Sequence, residues 1–177
     1  MCDASIRQAL DEPVTLVAHD PAWAEAFQRE RARLLERFGS RLLEVRHIGS
    51  TSVPGLAAKP VIDLIGGVAT MSEARSLVPA LCGFGYAFHE AGNRTFTDRQ
   101  WLFRERDGRR THHLHLVVHA GKAWQDRVRF REMLETNAEL RTRYERLKRE
   151  LAARFGRERE RYTELKGVFI LAALDGS

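Results

Sequence analysis

Apolar residues fall at helical spacing near the start of the chain and again after Gly121, and between these stretches they form short runs. Asp20-Pro21 suits a helix start, with Asp20 as N-cap and Pro21 in the first turn, where a missing N–H costs nothing. Trp23, Phe27, Leu34 and Phe38 follow at helical spacing as far as Gly39. Val14–Val17, Leu42–Ile48, Val61–Val68 and Tyr86–Phe88 read as strands. Thr70 with Glu73 three positions on is a capping-box pattern, which predicts a helix to about Gly83 with Pro79 inside its last turns. Gln100–Arg104 and His113–His119 flank Asp107-Gly108, a strong hairpin signal. Three helices are expected after Gly121. Trp124, Val128 and Leu134 mark the first; Leu140, Tyr144, Leu147 and Leu151 the second; Tyr162, Leu165 and Phe169 the third. A mixed sheet followed by three helices is an α+β layout. Residues 1–13 read as a leader, and residues 14–174 as one domain.

At 177 residues, with 44% hydrophobic and 30% charged, the composition is that of a folded globular chain. No run approaches the roughly 18 apolar residues of a membrane span, and residues 1–10 have no apolar signal-peptide core. Cys2 and Cys82 form no C-x-x-C pair and no disulfide framework, so a reducing cytoplasm is expected. The formal charge of +5 tolerates anionic partners without naming one. Only four of the 29 basic residues are lysines, and arginine's planar fork favours phosphate where it is clustered. Between Arg141 and Lys166, however, arginine alternates with glutamate. That pattern is read as a solvated helix face rather than a nucleic-acid surface.

The most informative segment is Ile48 to Asp63, which joins two strands through Gly49-Ser50-Thr51-Ser52-Val53-Pro54-Gly55 and Lys59. Successive amides in such a turn can form an anion-binding concavity, and a lysine adds a point charge for phosphate. Asp63 stands in an otherwise apolar strand, so it has to face a metal, a cation or solvent. The alternative is a shaped turn with Asp63 salt-bridged to a basic residue, and the local pattern leaves both open. Neither a Walker loop nor a dinucleotide fingerprint is present.

The run HIGSTSVPGLAAKPVIDL, the R-x-x-x-F at Arg99–Phe103, the THHLHLV run and Tyr162-x-x-x-Lys166 closely resemble the GrpB family, over about residues 14–174. The resemblance implies a nucleotidyltransferase-like fold: a mixed sheet covered by helices, with a C-terminal three-helix segment. It also implies a nucleotide or small phosphorylated ligand, a divalent metal (Mg²⁺, Mn²⁺ or Zn²⁺), and transfer of a nucleotidyl group. Gly49-Ser50 looks like the pair that holds phosphates, and Thr51, Ser52, Lys59, Arg99 and Lys166 are further phosphate-binding candidates. Asp63 is similar to the first metal-binding carboxylate. The second position is Ile65, which cannot ligate, and the third looks like His115.

Two-metal phosphoryl transfer needs several carboxylates, and Mg²⁺ prefers oxygen ligands. Asp63 with His113 and His115 better suits one Zn²⁺ or Mn²⁺, unless His115 is a general base without metal. Strand alternation puts His113, His115 and Val117 on one face, with His112 and Leu114 on the other. Arg46, His47 and Arg110 are lesser candidates for an anion pocket. The expected activity is nucleotidyl transfer by Asp63 and His115. The alternative is a non-catalytic nucleotide- or anion-binding module that lacks the full acidic set.

Overall fold

The computed structural model describes residues 3–176, with side-chain surroundings from residue 6 onward. The reading of Cys2 lies outside these residues, and Cys82 is a free, exposed thiol. The elements are α1 (Asp3–Asp11), α2 (Ala22–Phe38), β1 (Glu44–Ile48), a 3-10 turn (Ser50–Ser52), β2 (Ile62–Val68), α3 (Met71–Gly83), β3 (Ala87–Phe88), α4 (Glu90–Asn93), β4 (Gln100–Arg106), β5 (Arg109–Val118), α5 (Lys122–Thr136), α6 (Ala138–Phe155) and α7 (Arg159–Asp175). The five strands lie in the order β1-β2-β5-β4-β3. Only β2 and β5 run parallel; the other neighbours are antiparallel. The α+β class, the mixed sheet and the three closing helices are as expected.

Local chemistry explains the ends of the elements. Asp20 Oδ1 accepts the Ala22 amide at 2.9 Å, which caps α2. Thr70 Oγ1 accepts from the Glu73 amide at 3.1 Å, while the Glu73 carboxylate is taken by Arg41. Asp107 and Gly108 both have positive φ (53° and 72°), the requirement of a two-residue hairpin of the primed type.

Two expectations are corrected. The stretch read as a leader contains α1, whose Ala9 is wholly buried against Ala87 and Phe103. Val14–Val17 is not a strand: Val17 makes one bridge to Ala58, and the Val14 amide donates to the Gly156 carbonyl.

The sheet is covered on both faces. On one, α2 and α3 pack Trp23, Phe27, Leu34, Phe38, Leu77 and Leu81 against Leu64, Leu102, Leu114 and Leu116. On the other, α1 covers Ala87 and Phe103, and α5 lays Trp124 and Val128 over Ile48, Ile65 and Val117. The helices α6 and α7 pack against the far side of α5 and, through Val53 and Leu56, against the loop after β1. The middle of this second face, between the α1 and α5 patches, carries the polar residues of β2 and β5.

One buried charge ties the first face together. Glu30 is 3% exposed. It accepts from the Tyr86 hydroxyl at 2.6 Å and pairs with Arg104 at 2.8 Å and Arg33 at 3.0 Å. Removing one partner of a buried pair strands the other in low dielectric. Arg104→Met is expected to lower unfolding free energy by about 3 kcal/mol, measured by urea titration. A loss below about 1 kcal/mol would show that Tyr86 and Arg33 suffice to hold Glu30.

Candidate functional site

The site is built where β2 and β5 run side by side. Their register sets Asp63 opposite His113, and Ile65 opposite His115. Asp63 Oδ1 accepts from His113 Nδ1 at 2.8 Å. The Asp63 side chain is nevertheless 30% exposed, so it borders open space rather than a closed interior. Ligand atoms of Asp63, His113 and His115 all lie within 4.8 Å of one another. His113 Nε2 and His115 Nδ1 are buried without hydrogen-bond partners.

Gly49 fits against this corner. Its φ of 72° and ψ of −172° fall in a region that essentially only glycine occupies. A Cβ there would stand 2.5 Å from Asp63 Oδ2. The turn after β1 therefore brings backbone directly onto the carboxylate. Ser52 Oγ closes the turn by donating to the Gly49 carbonyl at 2.6 Å. The Thr51 hydroxyl is buried between His47 Nε2 (3.0 Å) and the Val61 carbonyl (3.4 Å). Ser50 Oγ is the hydroxyl left for the cleft, and it accepts from Lys148 Nζ at 3.0 Å.

Around Asp63 the charge is one-sided. Lys166 helps hold its carboxylate ionised, and Lys59, Lys148, Arg110 and Arg159 all feel its charge. Against these five cations stand Asp63 itself, Glu12, whose carboxylate accepts the Arg110 amide, and Glu145 beside Lys148. Lys59 and Lys166 both lie over the Tyr162 ring, at 5.8 and 5.9 Å. Arg110 is 5% exposed. It donates to the Leu10 carbonyl at 3.2 Å, and Arg159 to the Glu12 carbonyl at 2.8 Å.

The titration shifts record this crowding. Burial pushes Lys59 well down, and Arg159 and Lys166 add to it. Burial would raise Asp63, but donation from His113 and the nearby positive charges outweigh it and hold the group below the usual carboxylate range. His115 is pushed well down by burial, then by Arg127. It is therefore a neutral imidazole at neutral pH, able to accept a proton or a metal.

The structure thus brings Gly49, Ser50, Lys59, Asp63, His113, His115 and Lys166 together. Thr51 and Ser52 are spent inside the turn. Arg99 lies on the His115 side, stacked at 3.8 Å over Phe96 and 3.5 Å from Asp98, with Arg127 across from the same aspartate. Arg46 pairs with Glu44, and His47 stacks on Phe27 on the opposite face. Arg110, a lesser candidate from sequence, lies in this group, whereas Lys148 and Arg159 were not singled out. Lys148 sits within the stretch read as solvated, yet it is 2% exposed. Its signal was in the spacing: Leu140, Tyr144, Lys148 and Leu151 are all buried along one stripe of α6.

An aspartate and two histidines on paired strands of an α+β domain lie beside a group of lysines and arginines. The chain belongs to the GrpB family, whose model, described as GrpB protein, matches residues 13–175. It is 35% identical over 158 residues to the UPF0157 protein BH1888 of Halalkalibacterium halodurans, covering 89% of this chain and 78% of that one. It is 31% identical over 189 residues to a dephospho-CoA kinase of Mycobacterium bovis, covering 94% of this chain and 46% of that enzyme. The crystal structure of the conserved protein GrpB from Enterococcus faecalis superposes with a TM-score of 0.78 at 30% identity, over 92% of this chain and 98% of that one.

Two predictions test the geometry. Gly49→Ala is expected to cost about 1–3 kcal/mol from backbone strain alone, with more from contact with Asp63. An unchanged urea midpoint would contradict the close approach. Acid should also weaken the fold. His47 and His113 are pushed down from 6.5 to about 4, chiefly by burial. Between those values the unfolded chain binds more protons than the folded one. Stability is expected to be complete above pH 6.5 and to fall as pH drops towards 4. Urea titrations across that window check it, and a flat profile would count against both neutral imidazoles.

Proposed function

We propose that this chain binds a phosphate-bearing ligand, a nucleotide or another small phosphorylated molecule, in the cleft between Gly49 and the cations Lys59, Lys166, Arg110 and Arg159. One observation carries the reading: Lys59, Lys148, Lys166, Arg110 and Arg159 converge on a partly open cleft whose carboxylates are Asp63, Glu12 and, beside Lys148, Glu145. Such an excess is costly to assemble without an anion to neutralise it. The likeness to nearly half of an enzyme named as a dephospho-CoA kinase is in keeping with a phosphorylated ligand.

Asp63, His113 and His115 are the residues that would hold a metal. Their donor set fits one transition ion such as Zn²⁺ or Mn²⁺ better than Mg²⁺. Such an ion, when bound, supplies Lewis-acid stabilisation of phosphate oxygens. On the fuller reading, the domain is a nucleotidyltransferase-like enzyme of the cytoplasm, and neutral His115 takes the proton of an acceptor. The narrower reading, a binding module without turnover, is favoured by Ile65. That residue is wholly buried under Trp124 and Val128, where a second metal-binding carboxylate is expected.

Calorimetry with pyrophosphate and the four nucleoside triphosphates, with and without Zn²⁺, Mn²⁺ and Mg²⁺, tests the proposal. Binding is expected, weakened about tenfold or more when Lys59 or Lys166 becomes Met, as loss of a charge-assisted contact implies. Absence of heat under every condition would overturn it. Binding without release of any product would select the narrower reading.

A further inference from the structure

Lys148 holds an unusual position for a lysine. It sits on α6 with 2% of its surface exposed. None of its hydrogen bonds goes to a carboxylate. Nζ bonds Ser50 Oγ at 3.0 Å and the carbonyl of Ala57, and it lies 5.0 Å from the centre of the Tyr144 ring. Ser50 in turn opens the 3-10 turn directly after Gly49, whose glycine-only backbone geometry makes a sharp exit from β1. The serine hydroxyl is thereby presented beside Asp63 with a buried amine at hydrogen-bond distance. A serine activated by an adjacent lysine is a known form of nucleophile–base pair.

We infer that Ser50 is a nucleophile and Lys148 its general base, acting on a phosphoryl group of the ligand bound among the neighbouring cations. For the identity of that ligand the inference rests on the function proposed above; the pairing itself does not. In the step, neutral Nζ of Lys148 takes the hydroxyl proton of Ser50. Oγ forms a bond to phosphorus, and the bond from phosphorus to the leaving group breaks. The product is a phosphoester on Ser50, an ammonium on Lys148 and the departed anion.

The electrostatics permit it. Burial, then Lys166 of α7, brings Lys148 down to about 7, while Glu145 and, at longer range, Asp63 of β2 pull the other way and Arg149 adds to the lowering. A substantial fraction of the amine is then unprotonated near neutral pH. Tyr144, on the same helix, also reaches Ser50 and is held protonated by burial, so it does not compete as a base.

The test uses the full chain and a fluorophosphonate, whose phosphorus is attacked with loss of fluoride. Peptide mass spectrometry is expected to find one adduct, on Ser50. The labelling rate of the unmutated protein should rise through about pH 7, where half of Lys148 is neutral, and level off well above it. Lys148→Arg keeps the positive charge and the donors but cannot act as a base. It should label about a hundredfold more slowly. No adduct on Ser50, a rate that climbs with hydroxide and never levels, or a Lys148→Arg variant that labels at the native rate would each overturn the inference. Because the probe is uncharged, failure here with retained binding of pyrophosphate would leave the anion site standing and remove only the nucleophile. Labelling of Ser50 without pyrophosphate binding would do the reverse.

Discussion

A carboxylate on an inner strand of a covered sheet is the constraint around which this molecule is arranged. Asp63 has one neighbour strand on each side and a side chain only partly open to solvent, so water alone does not solvate it. It is kept ionised by donation from His113 on β5 and by surrounding positive charge, and the turn at Gly49 packs closely against its second oxygen. Each of these supports depends on the parallel register of β2 and β5. A slip of one residue would turn Asp63 and His113 to opposite faces and bury unpaired charge under α2 and α3. The register is held by apolar neighbours: Leu64 and Leu114 point into the first core, Ile65 and Val117 into the second. Thus the polar corner is positioned by hydrophobic packing that it does not itself contribute to.

What could be read from the sequence follows from which interactions are local. The cap of α3 at Thr70, the Asp107-Gly108 hairpin and the three closing helices were legible because their causes lie within a few residues. So was the sharing of one face by His113 and His115, which strand alternation dictates. α1 was not, since its place depends on Ala9 meeting Ala87 and Phe103, far along the chain. The same holds for Val14–Val17: its residues suit a strand, but it finds a single bridge and a contact to Gly156 rather than a sheet edge. In the site, Gly49, Ser50, Asp63 and the histidines were visible as a compact motif. Lys148 and Arg159 were hidden because a basic residue in an Arg/Glu-rich helix looks solvated until the helix is docked, and Arg110, on β5, stood only as a lesser candidate. Only the buried spacing of Leu140, Tyr144, Lys148 and Leu151 sets Lys148 apart.

Ile65 illustrates how one position can decide between chemistries. It projects to the same face as Asp63, where the family resemblance leads one to expect a second carboxylate. Here that face belongs to α5, and Ile65 is part of the apolar contact with Trp124 and Val128 that seats the helix. An aspartate at this position would place a second negative charge in a dry interface, so the helix and a two-carboxylate metal site exclude one another. The face open to a ligand is shifted towards His113 and His115, whose neutral imidazoles offer nitrogen where the missing carboxylate would have offered oxygen. That exchange moves preference away from Mg²⁺ and towards softer ions.

The cations around the cleft have a cost that bears on stability as well as on binding. Lys59, Arg110, Arg159 and Lys148 are all held below their ordinary titration ranges, with burial as the leading cause in each case. Their charged forms are therefore less favourable in the folded chain than in the unfolded one. An anion bound there, as proposed, would relieve this mutual repulsion, and its binding energy would appear as added resistance to unfolding. The same relief would act on Lys148: an anion near Lys166 would raise the proton affinity of the neighbouring amine and strengthen it as a proton acceptor. A lysine that gives up its proton readily in the empty cleft and regains it as negative charge accumulates has the properties required to receive a proton from Ser50 and hold it while the leaving group departs.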